Sequence, residues 1–169
     1  MNIIFLDIDG VLNDADFFEE KKIKCELLWT EFSKADRLNN IEYIILSKKT
    51  ELDLSKMLLL KNIVDMTDAK IVFVSAWINT RSFLLVEEYF ISLGIPIEGT
   101  IEPYLIGKRG LGIKKYIAEH KVNNYIIIDD EIFDTYDDEL KEHLIHTNFY
   151  NGGLQEEHAD EAIYRLRKK

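Results

Sequence analysis

Three short apolar runs constrain the fold of this chain more than any other feature of its sequence. They are residues 3–6, 71–74 and 125–128, and each is rich in β-branched or aromatic side chains. Continuous apolar runs of this length are typical of strands that are buried on both faces, as in a parallel sheet. The sequence therefore predicts an α/β protein with helices on both faces of its sheet.

Amphipathic stretches of helical length follow the runs and complete an alternating pattern. Hydrophobic side chains recur at helical spacing over residues 53–66, 80–93, 110–120 and 156–168. Asp53 suits the N-cap of the first of these helices, and Gly94 is a common terminator for the second. Residues 144–146 are predicted to form a short edge strand. Strands that alternate with helices predict βαβ units and a three-layer, Rossmann-like arrangement.

The length of 169 residues suits a single domain over 1–169. One segment, residues 13–52, interrupts the alternation of strands and helices. Within it, residues 26–34 are predicted to be helical and residues 41–46 to be strand-like. We interpret the segment as a small inserted cap.

Charge and cysteine content restrict the class of protein. The net charge is −10, which argues against an extended nucleic-acid surface and against attraction to anionic lipid. Cys25 is the single cysteine, so an internal disulfide is excluded and a reducing compartment is expected. No segment has the roughly 18 consecutive apolar residues of a membrane helix. We expect a cytoplasmic protein without a membrane partner.

Polar residues end each of the three predicted strands. Asp7 and Asp9 follow the first strand, Ser75 the second, and Asp129 and Asp130 the third. In open parallel sheets, ligands bind beyond the carboxyl ends of the strands, so these side chains are expected to converge. Four neighbouring carboxylates repel one another, and a divalent cation would relieve this repulsion. An all-oxygen ligand set favours Mg²⁺ over zinc.

Asp7 and Ser75 each have an alternative interpretation. An EF-hand loop starting at Asp7 would need Gly at its sixth position and Glu at its twelfth, where this chain has Leu12 and Phe18. The spacing therefore argues against a calcium loop. Ser75 could serve only as the cap of the following helix.

Four segments together resemble the motifs of the haloacid dehalogenase (HAD) superfamily, in its phosphatase branch. The sequence DIDGVL from Asp7 resembles the first motif, and Ser75 after its strand resembles the second. Lys108 is similar to the basic residue of the third motif, and the pair Asp129 and Asp130 to the acids of the fourth. All four occur in the superfamily's order.

A narrower resemblance is to the HAD domains of Swiss Army Knife RNA repair proteins. It rests on the stretches FLDIDGVLN, IVFVSAW, RGLGIKKYI and YIIIDDE, and on GGL before the last helix. The match covers most of residues 1–12 and 54–166. Ile78 follows Trp77 at a position where that group usually has Arg.

The resemblance implies a role for each matching residue. Asp7 would be the nucleophile that forms an aspartyl-phosphate, and Asp9 the general acid and base. The implied Mg²⁺ ligands are Asp7, Asp9 through its backbone carbonyl, and Asp130. Asp129 would bind the ion through water or orient Lys108. Ser75 and Lys108 would be catalytic through contacts with the phosphoryl oxygens. The implied substrate-binding residues are Gly10, Ser75, Ala76, Lys108 and Arg109.

Two assignments stay open at this point. Lys108, Arg109 and Lys114 all lie near the start of one predicted helix, and we favour Lys108 as the third-motif base over Arg109. Trp77 could stack on a substrate base, but packing in the core is the preferred interpretation.

These features predict a Mg²⁺-dependent phosphomonoesterase. Its expected partner is a phosphorylated small molecule, a nucleotide or the terminal phosphate of a nucleic acid. Phosphoryl transfer to an acceptor other than water is the alternative among enzymes. A non-catalytic phosphate-binding or regulatory module on the same fold is the alternative outside them. The retention of both Asp7 and Asp9 favours catalysis.

Overall fold

The structure of this chain is a computed structural model that describes residues 1–22 and 51–168. The predicted helix at 26–34, the predicted strand at 41–46 and Cys25 lie outside the described residues. The same holds for most of the segment 13–52, whose role as a cap stays a prediction. Residues 15–22 are helical and are named α1.

The described chain contains a sheet of five strands, all parallel, as the apolar runs predict. The strands are β1 (Asn2–Leu6), β2 (Lys70–Phe73), β3 (Ile97–Thr100), β4 (Asn124–Asp129) and β5 (Leu144–His146), in the spatial order β3-β2-β1-β4-β5. The three predicted apolar runs therefore form the three central strands, and the predicted edge strand is β5. Parallel pairing of buried central strands accounts for their continuous apolar sequences.

Helices cover both faces of this sheet and make a three-layer α/β fold. After α1 they are α2 (Leu54–Thr67), α3 (Phe83–Ser92), α4 (Arg109–Glu119), α5 (Asp138–Glu142) and α6 (Glu156–Arg167). Short 3₁₀ helices span Ala76–Asn79, Pro103–Lys108 and Phe149–Asn151. The predicted fold class, a Rossmann-like arrangement around a parallel sheet, is confirmed.

Alternate residues of each strand enter two separate hydrophobic cores. In β1, Ile4 and Leu6 pack on the side of α2, α3 and α6, whereas Ile3 and Phe5 pack on the side of α4 and α5. All four side chains are fully buried. The sheet is thus covered on both faces, and its open edge for ligands is the one at the carboxyl ends of the strands.

The boundaries of the elements differ from prediction at two places. Strand β3 was not predicted, because its sequence Ile-Glu-Gly-Thr is short and partly polar, as is common at a sheet edge. Helix α3 begins at Phe83 rather than near residue 80, because a separate 3₁₀ helix precedes it. Asp53 caps α2 as predicted, and its side chain accepts a hydrogen bond from the Ser55 N–H at 2.8 Å.

None of the helices in the described ranges combines the length and the apolar composition that crossing a membrane would require.

Candidate active site

Three strand ends meet at one edge of the sheet, which brings the predicted polar residues together. Leu6 lies opposite Phe73 of β2 and opposite Ile128 of β4, so the three strands end at the same level. The ladder continues beyond β1, since the Asp7 N–H donates to the Ile128 carbonyl at 3.0 Å. Asp7 and Asp129 therefore leave neighbouring strands side by side.

Three carboxylates form a compact cluster at this edge. Asp7, Asp129 and Asp130 each offer an oxygen within 4.8 Å of the oxygens offered by the other two. Asp7 and Asp129 are buried, and Asp130 is half-buried. Because carboxylates so placed repel one another, the cluster requires compensating positive charge.

Arg109 supplies part of that charge from the first residue of α4. Its Nη1 lies 2.8 Å from Asp7 Oδ2 and 2.7 Å from Asp129 Oδ2, and its side chain is almost fully buried. The guanidinium also lies over the ring of Phe133, with its central carbon 4.4 Å from the ring centroid. One guanidinium thus bridges the ends of β1 and β4.

The basic residue that pairs with Asp7 is Arg109, whereas we favoured Lys108 as the third-motif base. Lys108 is the last residue of the 3₁₀ helix that precedes α4, and it is exposed. Lys114, the third possibility, lies farther along α4 and pairs with Asp137 at the surface. Side chains of consecutive helical residues point in directions about 100° apart, so only one of two adjacent basic side chains can face the strand ends.

Burial and mutual repulsion shift the protonation of the cluster. Burial, together with the charge of Asp7, raises the pKa of Asp129 from its ordinary 3.8 to about 6, although Arg109 opposes this shift. Burial and the charge of Asp7 also raise the pKa of Asp130 to about 6. Burial alone would lower the pKa of Arg109, but the attraction of Asp7 and Asp129 raises it, so Arg109 stays charged.

Asp129 is held by neutral donors as well as by Arg109. The Tyr136 hydroxyl donates to Asp129 Oδ2 at 2.8 Å, and the Glu131 N–H donates to Asp129 Oδ1 at 3.0 Å. Tyr136 is buried, and its own burial and the charge of Asp129 raise its pKa, so it remains a donor. No sequence motif pointed to Tyr136, which lies in an acidic stretch after β4. Its signal was an aromatic residue within an acidic stretch.

The residues of this cluster fit a divalent cation. Its donors are all carboxylate oxygens, which suit Mg²⁺ better than a soft metal. Three carboxylates face a single guanidinium, so a dication would balance the remaining two negative charges. Asp7, Asp129 and Asp130 are the side chains that would hold it. The side chain of Asp9, the fourth predicted ligand, does not belong to this group.

Adding Mg²⁺ is expected to raise the thermal unfolding temperature by more at about pH 8 than at about pH 5. Without the ion, the folded protein binds more protons than the unfolded chain between about pH 4 and pH 6, because the pKa of Asp129 lies above its ordinary value. The stability that Asp129 contributes therefore falls as pH rises through this window. The ion relieves the repulsion that remains at higher pH.

Thermal unfolding with Mg²⁺ and with EDTA at both pH values measures this effect. Asp130→Asn should lose most of the Mg²⁺-dependent shift, whereas Asp16→Asn, which changes an exposed acid, should keep it. An equal shift in Asp130→Asn and the wild-type protein would rule out this ligand.

Asp9 lies next to the cluster with its side chain in different contacts. The Trp77 indole N–H donates to Asp9 Oδ2 at 2.8 Å, and Asn13 Nδ2 donates to Asp9 Oδ1 at 2.9 Å. Asn13 Nδ2 also donates to the Glu51 carbonyl at 2.9 Å. Asp9 itself is exposed, so its carboxylate faces the open edge of the sheet. For Trp77 we predicted core packing or base stacking, and we did not predict its hydrogen bond to Asp9.

Gly10 allows the chain to turn tightly beneath Asp130. Its φ is +67°, and a Cβ atom at this position would lie 2.1 Å from Asp130 Oδ2. The Gly10 N–H donates to Asn13 Oδ1 at 3.0 Å, and its carbonyl accepts from the Thr147 hydroxyl at 2.7 Å. Its backbone polar groups are therefore used to hold the loop. Asn13 ends the stretch FLDIDGVLN but was given no role from sequence, and no sequence motif pointed to Thr147.

The remaining predicted substrate-binding residues follow β2. Ser75 is buried, and its hydroxyl oxygen accepts a long hydrogen bond of 3.4 Å from the Trp77 N–H. Ser75 therefore caps the following 3₁₀ helix while its own hydroxyl hydrogen stays available for donation. Ala76 is exposed at the start of that helix.

The two ends of the segment 13–52 are joined beside this loop. The Asp53 N–H donates to the Leu12 carbonyl at 2.8 Å. Lys56 is buried and pairs with both Asp14 and Asp53, at 2.5 Å and 3.0 Å. The segment therefore leaves and re-enters the core next to Asp9.

One family of known proteins matches this chain. The family described as the HAD domain in Swiss Army Knife RNA repair proteins matches residues 3–159. Neither curated proteins nor solved structures yield a significant match. The family match contains the whole acidic cluster, Arg109 and the loop from Asp7 to Asn13, and HAD domains are generally hydrolases. The chain therefore belongs to the family of HAD domains found in Swiss Army Knife RNA repair proteins.

Proposed function

We propose that this protein is a Mg²⁺-dependent phosphomonoesterase that works through an aspartyl-phosphate on Asp7. The observation that carries the proposal is the ion pair between Asp7 and Arg109 within an acidic cluster at the strand ends. Arg109 pairs with the Asp7 carboxylate at 2.8 Å and so holds it in one orientation, which a carboxylate nucleophile requires. Membership of the HAD family supports the same type of reaction.

The proposed reaction has two steps, the formation of the aspartyl-phosphate and its hydrolysis. Asp7 attacks phosphorus as the bond to the leaving oxygen breaks, and Asp9 gives a proton to that oxygen. Asp9 then takes a proton from water, which attacks phosphorus and releases phosphate and free Asp7. A bound Mg²⁺ would offset charge on the transferring phosphoryl group. Ser75 and Lys108 are proposed to contact phosphoryl oxygens, and Arg109 takes over the role of restraining Asp7.

The proposed substrate is a nucleotide or the terminal phosphate of a nucleic acid. The description of the matching family, RNA repair, supports this class. The net charge of −10 favours a small phosphate ester or the end of a nucleic acid over binding along an extended nucleic-acid strand.

A non-catalytic module that binds phosphate ligands is the second candidate. The same acidic cluster and Arg109 would serve it, but binding alone would not need the exposed Asp9 carboxylate held by two donors. Phosphoryl transfer to an acceptor other than water would use the same first step as hydrolysis. Product analysis separates it from hydrolysis, since only hydrolysis releases inorganic phosphate.

Hydrolysis of p-nitrophenyl phosphate tests the proposal. Purified protein is expected to turn over this ester in Mg²⁺, to lose activity in EDTA, and to regain it when Mg²⁺ is added in excess. Release of inorganic phosphate is measured in parallel with release of p-nitrophenol. Absence of turnover at any Mg²⁺ concentration, together with tight phosphate binding, would favour the non-catalytic module.

The substrate class needs a separate comparison. Nucleoside monophosphates, sugar phosphates, and short oligonucleotides with a 5′ or 3′ phosphate are compared by kcat/KM. We expect nucleotides or oligonucleotide ends to exceed sugar phosphates by at least about tenfold, the effect of roughly 1.4 kcal/mol of transition-state binding. Equal values for all classes would contradict the proposed substrate.

A further inference from the structure

The indole of Trp77 is in direct contact with Asp9, the proposed general acid and base. Its N–H donates to Asp9 Oδ2, and Asn13 Nδ2 donates to the other oxygen of the same carboxylate. We propose that Trp77 is a positioning residue that holds the Asp9 carboxylate in the orientation needed for proton transfer to the leaving oxygen. This inference rests on the proposed function.

The structure fixes Trp77 independently of Asp9. Trp77 lies in the 3₁₀ helix Ala76–Asn79, directly after the end of β2 and Ser75. Its carbonyl accepts from the Thr80 N–H at 2.9 Å and from the Thr80 hydroxyl at 2.7 Å. Its ring is partly buried against the core formed by α2, α3 and α6. A ring anchored in this way presents its N–H at a defined point.

Two donors on different oxygens restrict the carboxylate more than one donor would. A carboxylate that accepts a hydrogen bond on one oxygen can still rotate about its Cβ–Cγ bond. Hydrogen bonds of 2.8 Å and 2.9 Å on the two oxygens fix the plane of the Asp9 carboxylate. Trp77 lies 68 residues from Asp9 and Asn13 only 4, so the two donors come from separate parts of the fold. The orientation of Asp9 is therefore set by tertiary structure.

These hydrogen bonds leave room for the proton that Asp9 must carry. Each carboxylate oxygen accepts up to two hydrogen bonds, so one acceptor position on each oxygen stays available. In the first step a proton on such a position moves to the leaving oxygen as its bond to phosphorus breaks. In the second step the same position takes a proton from water. Trp77 keeps its own proton in both steps.

The dependence of kcat/KM on the leaving group tests this role, because a purely structural role of Trp77 would affect all substrates equally. An alkyl leaving oxygen requires a proton, whereas p-nitrophenolate is stable without one. Trp77→Phe keeps an aromatic ring and removes the N–H. We expect it to lower kcat/KM for a nucleoside 5′-monophosphate by at least about tenfold more than for p-nitrophenyl phosphate.

Ile78→Val is the matched control, because Ile78 follows Trp77 in the same 3₁₀ helix and packs against the same core. It should leave the ratio of the two kcat/KM values unchanged. An equal loss for both substrates in Trp77→Phe would overturn the proposal, since it would indicate general damage to the site. Wild-type protein that hydrolyses neither substrate would instead contradict the proposed function.

A double-mutant cycle shows whether Trp77 acts through Asp9. In an Asp9→Asn background, Trp77→Phe is expected to change the kcat/KM for the monophosphate by less than about twofold. A full loss in that background would overturn the proposal.

Nuclear magnetic resonance tests the contact without activity, and it applies even if Trp77→Phe does not fold. The sequence has two tryptophans, Trp29 and Trp77, so the indole N–H signals are few and assignable by substitution of Trp29. Asp9→Ala should shift the Trp77 indole signal strongly and speed its hydrogen exchange, whereas Asp16→Asn should not. An unchanged Trp77 signal in Asp9→Ala would contradict the hydrogen bond itself.

Discussion

Replacement of Asp7 by Asn is expected to lower kcat by at least about 10⁴-fold, because the substitution removes the nucleophile. Asn has nearly the same shape as Asp and can still occupy the space beside Arg109. Asp7 is almost fully buried, so a change of shape would disturb the end of β1, whereas Asn avoids that problem. Hydrolysis of p-nitrophenyl phosphate and of a nucleoside monophosphate measures the loss.

Asp16→Asn is the control for this experiment, since it removes one carboxylate from an exposed position. It should retain activity. Thermal unfolding of Asp7→Asn is expected to show that the fold persists. Activity in Asp7→Asn within about tenfold of wild type would exclude Asp7 as the nucleophile.

The covalent intermediate can be sought directly in a second variant. Asp9→Asn lacks the base that activates water, so p-nitrophenyl phosphate should leave a phosphoryl group on the protein. Acid quenching followed by borohydride reduces the acyl phosphate and releases its phosphate, so peptide mass spectrometry should find homoserine in place of Asp7. Reduction at a different aspartate of the chain would contradict the assignment.

Replacement of Arg109 by Met is expected to lower the free energy of unfolding by about 3–5 kcal/mol. Arg109 bridges Asp7 and Asp129, both of which are buried. Without Arg109, these two buried carboxylates face each other, and no other basic side chain of residues 1–22 and 51–168 pairs with them. A typical domain is stable by only about 5–15 kcal/mol, so the effect is large. Urea denaturation measures it.

Lys108→Met is the matched control, because Lys108 precedes Arg109 in the chain and is exposed. It should change the free energy of unfolding by no more than about 0.5 kcal/mol. The loss in Arg109→Met should be smaller at about pH 5 than at about pH 8, because the pKa of Asp129 is raised to about 6 and protonation of Asp129 removes the repulsion. Equal effects of the two substitutions would show that Arg109 does not carry the charge balance of the site.

Much of the fold was accessible from sequence because buried parallel strands have a local signature. The runs 3–6, 71–74 and 125–128 became β1, β2 and β4, which are the central strands. Their burial on both faces forces every residue to be apolar, so the pattern is continuous and easy to detect. Strand β3 lies at the edge and lacks this constraint, and its sequence therefore carried no clear signal.

The carboxylates of the candidate site were also predictable, because each directly follows a recognisable strand. Asp7 follows β1, Asp129 ends β4 and Asp130 follows it, so the parallel order of the strands is enough to place them together. The partners of these carboxylates were not predictable in the same way. They depend on the directions of side chains in elements that are distant in the chain.

The central strands and the acids that follow them could be predicted from the chain alone, because both depend on local hydrophobic pattern and on strand order. Packing of the folded chain was needed to show that Arg109 rather than Lys108 pairs with Asp7, since the rotation of one helix determines which of two adjacent residues faces the strand ends. It also decided that Trp77 bonds to Asp9, and that Thr147 bonds to Gly10 across 137 positions. Such contacts follow from how helices and loops pack on the sheet, which no local pattern encodes.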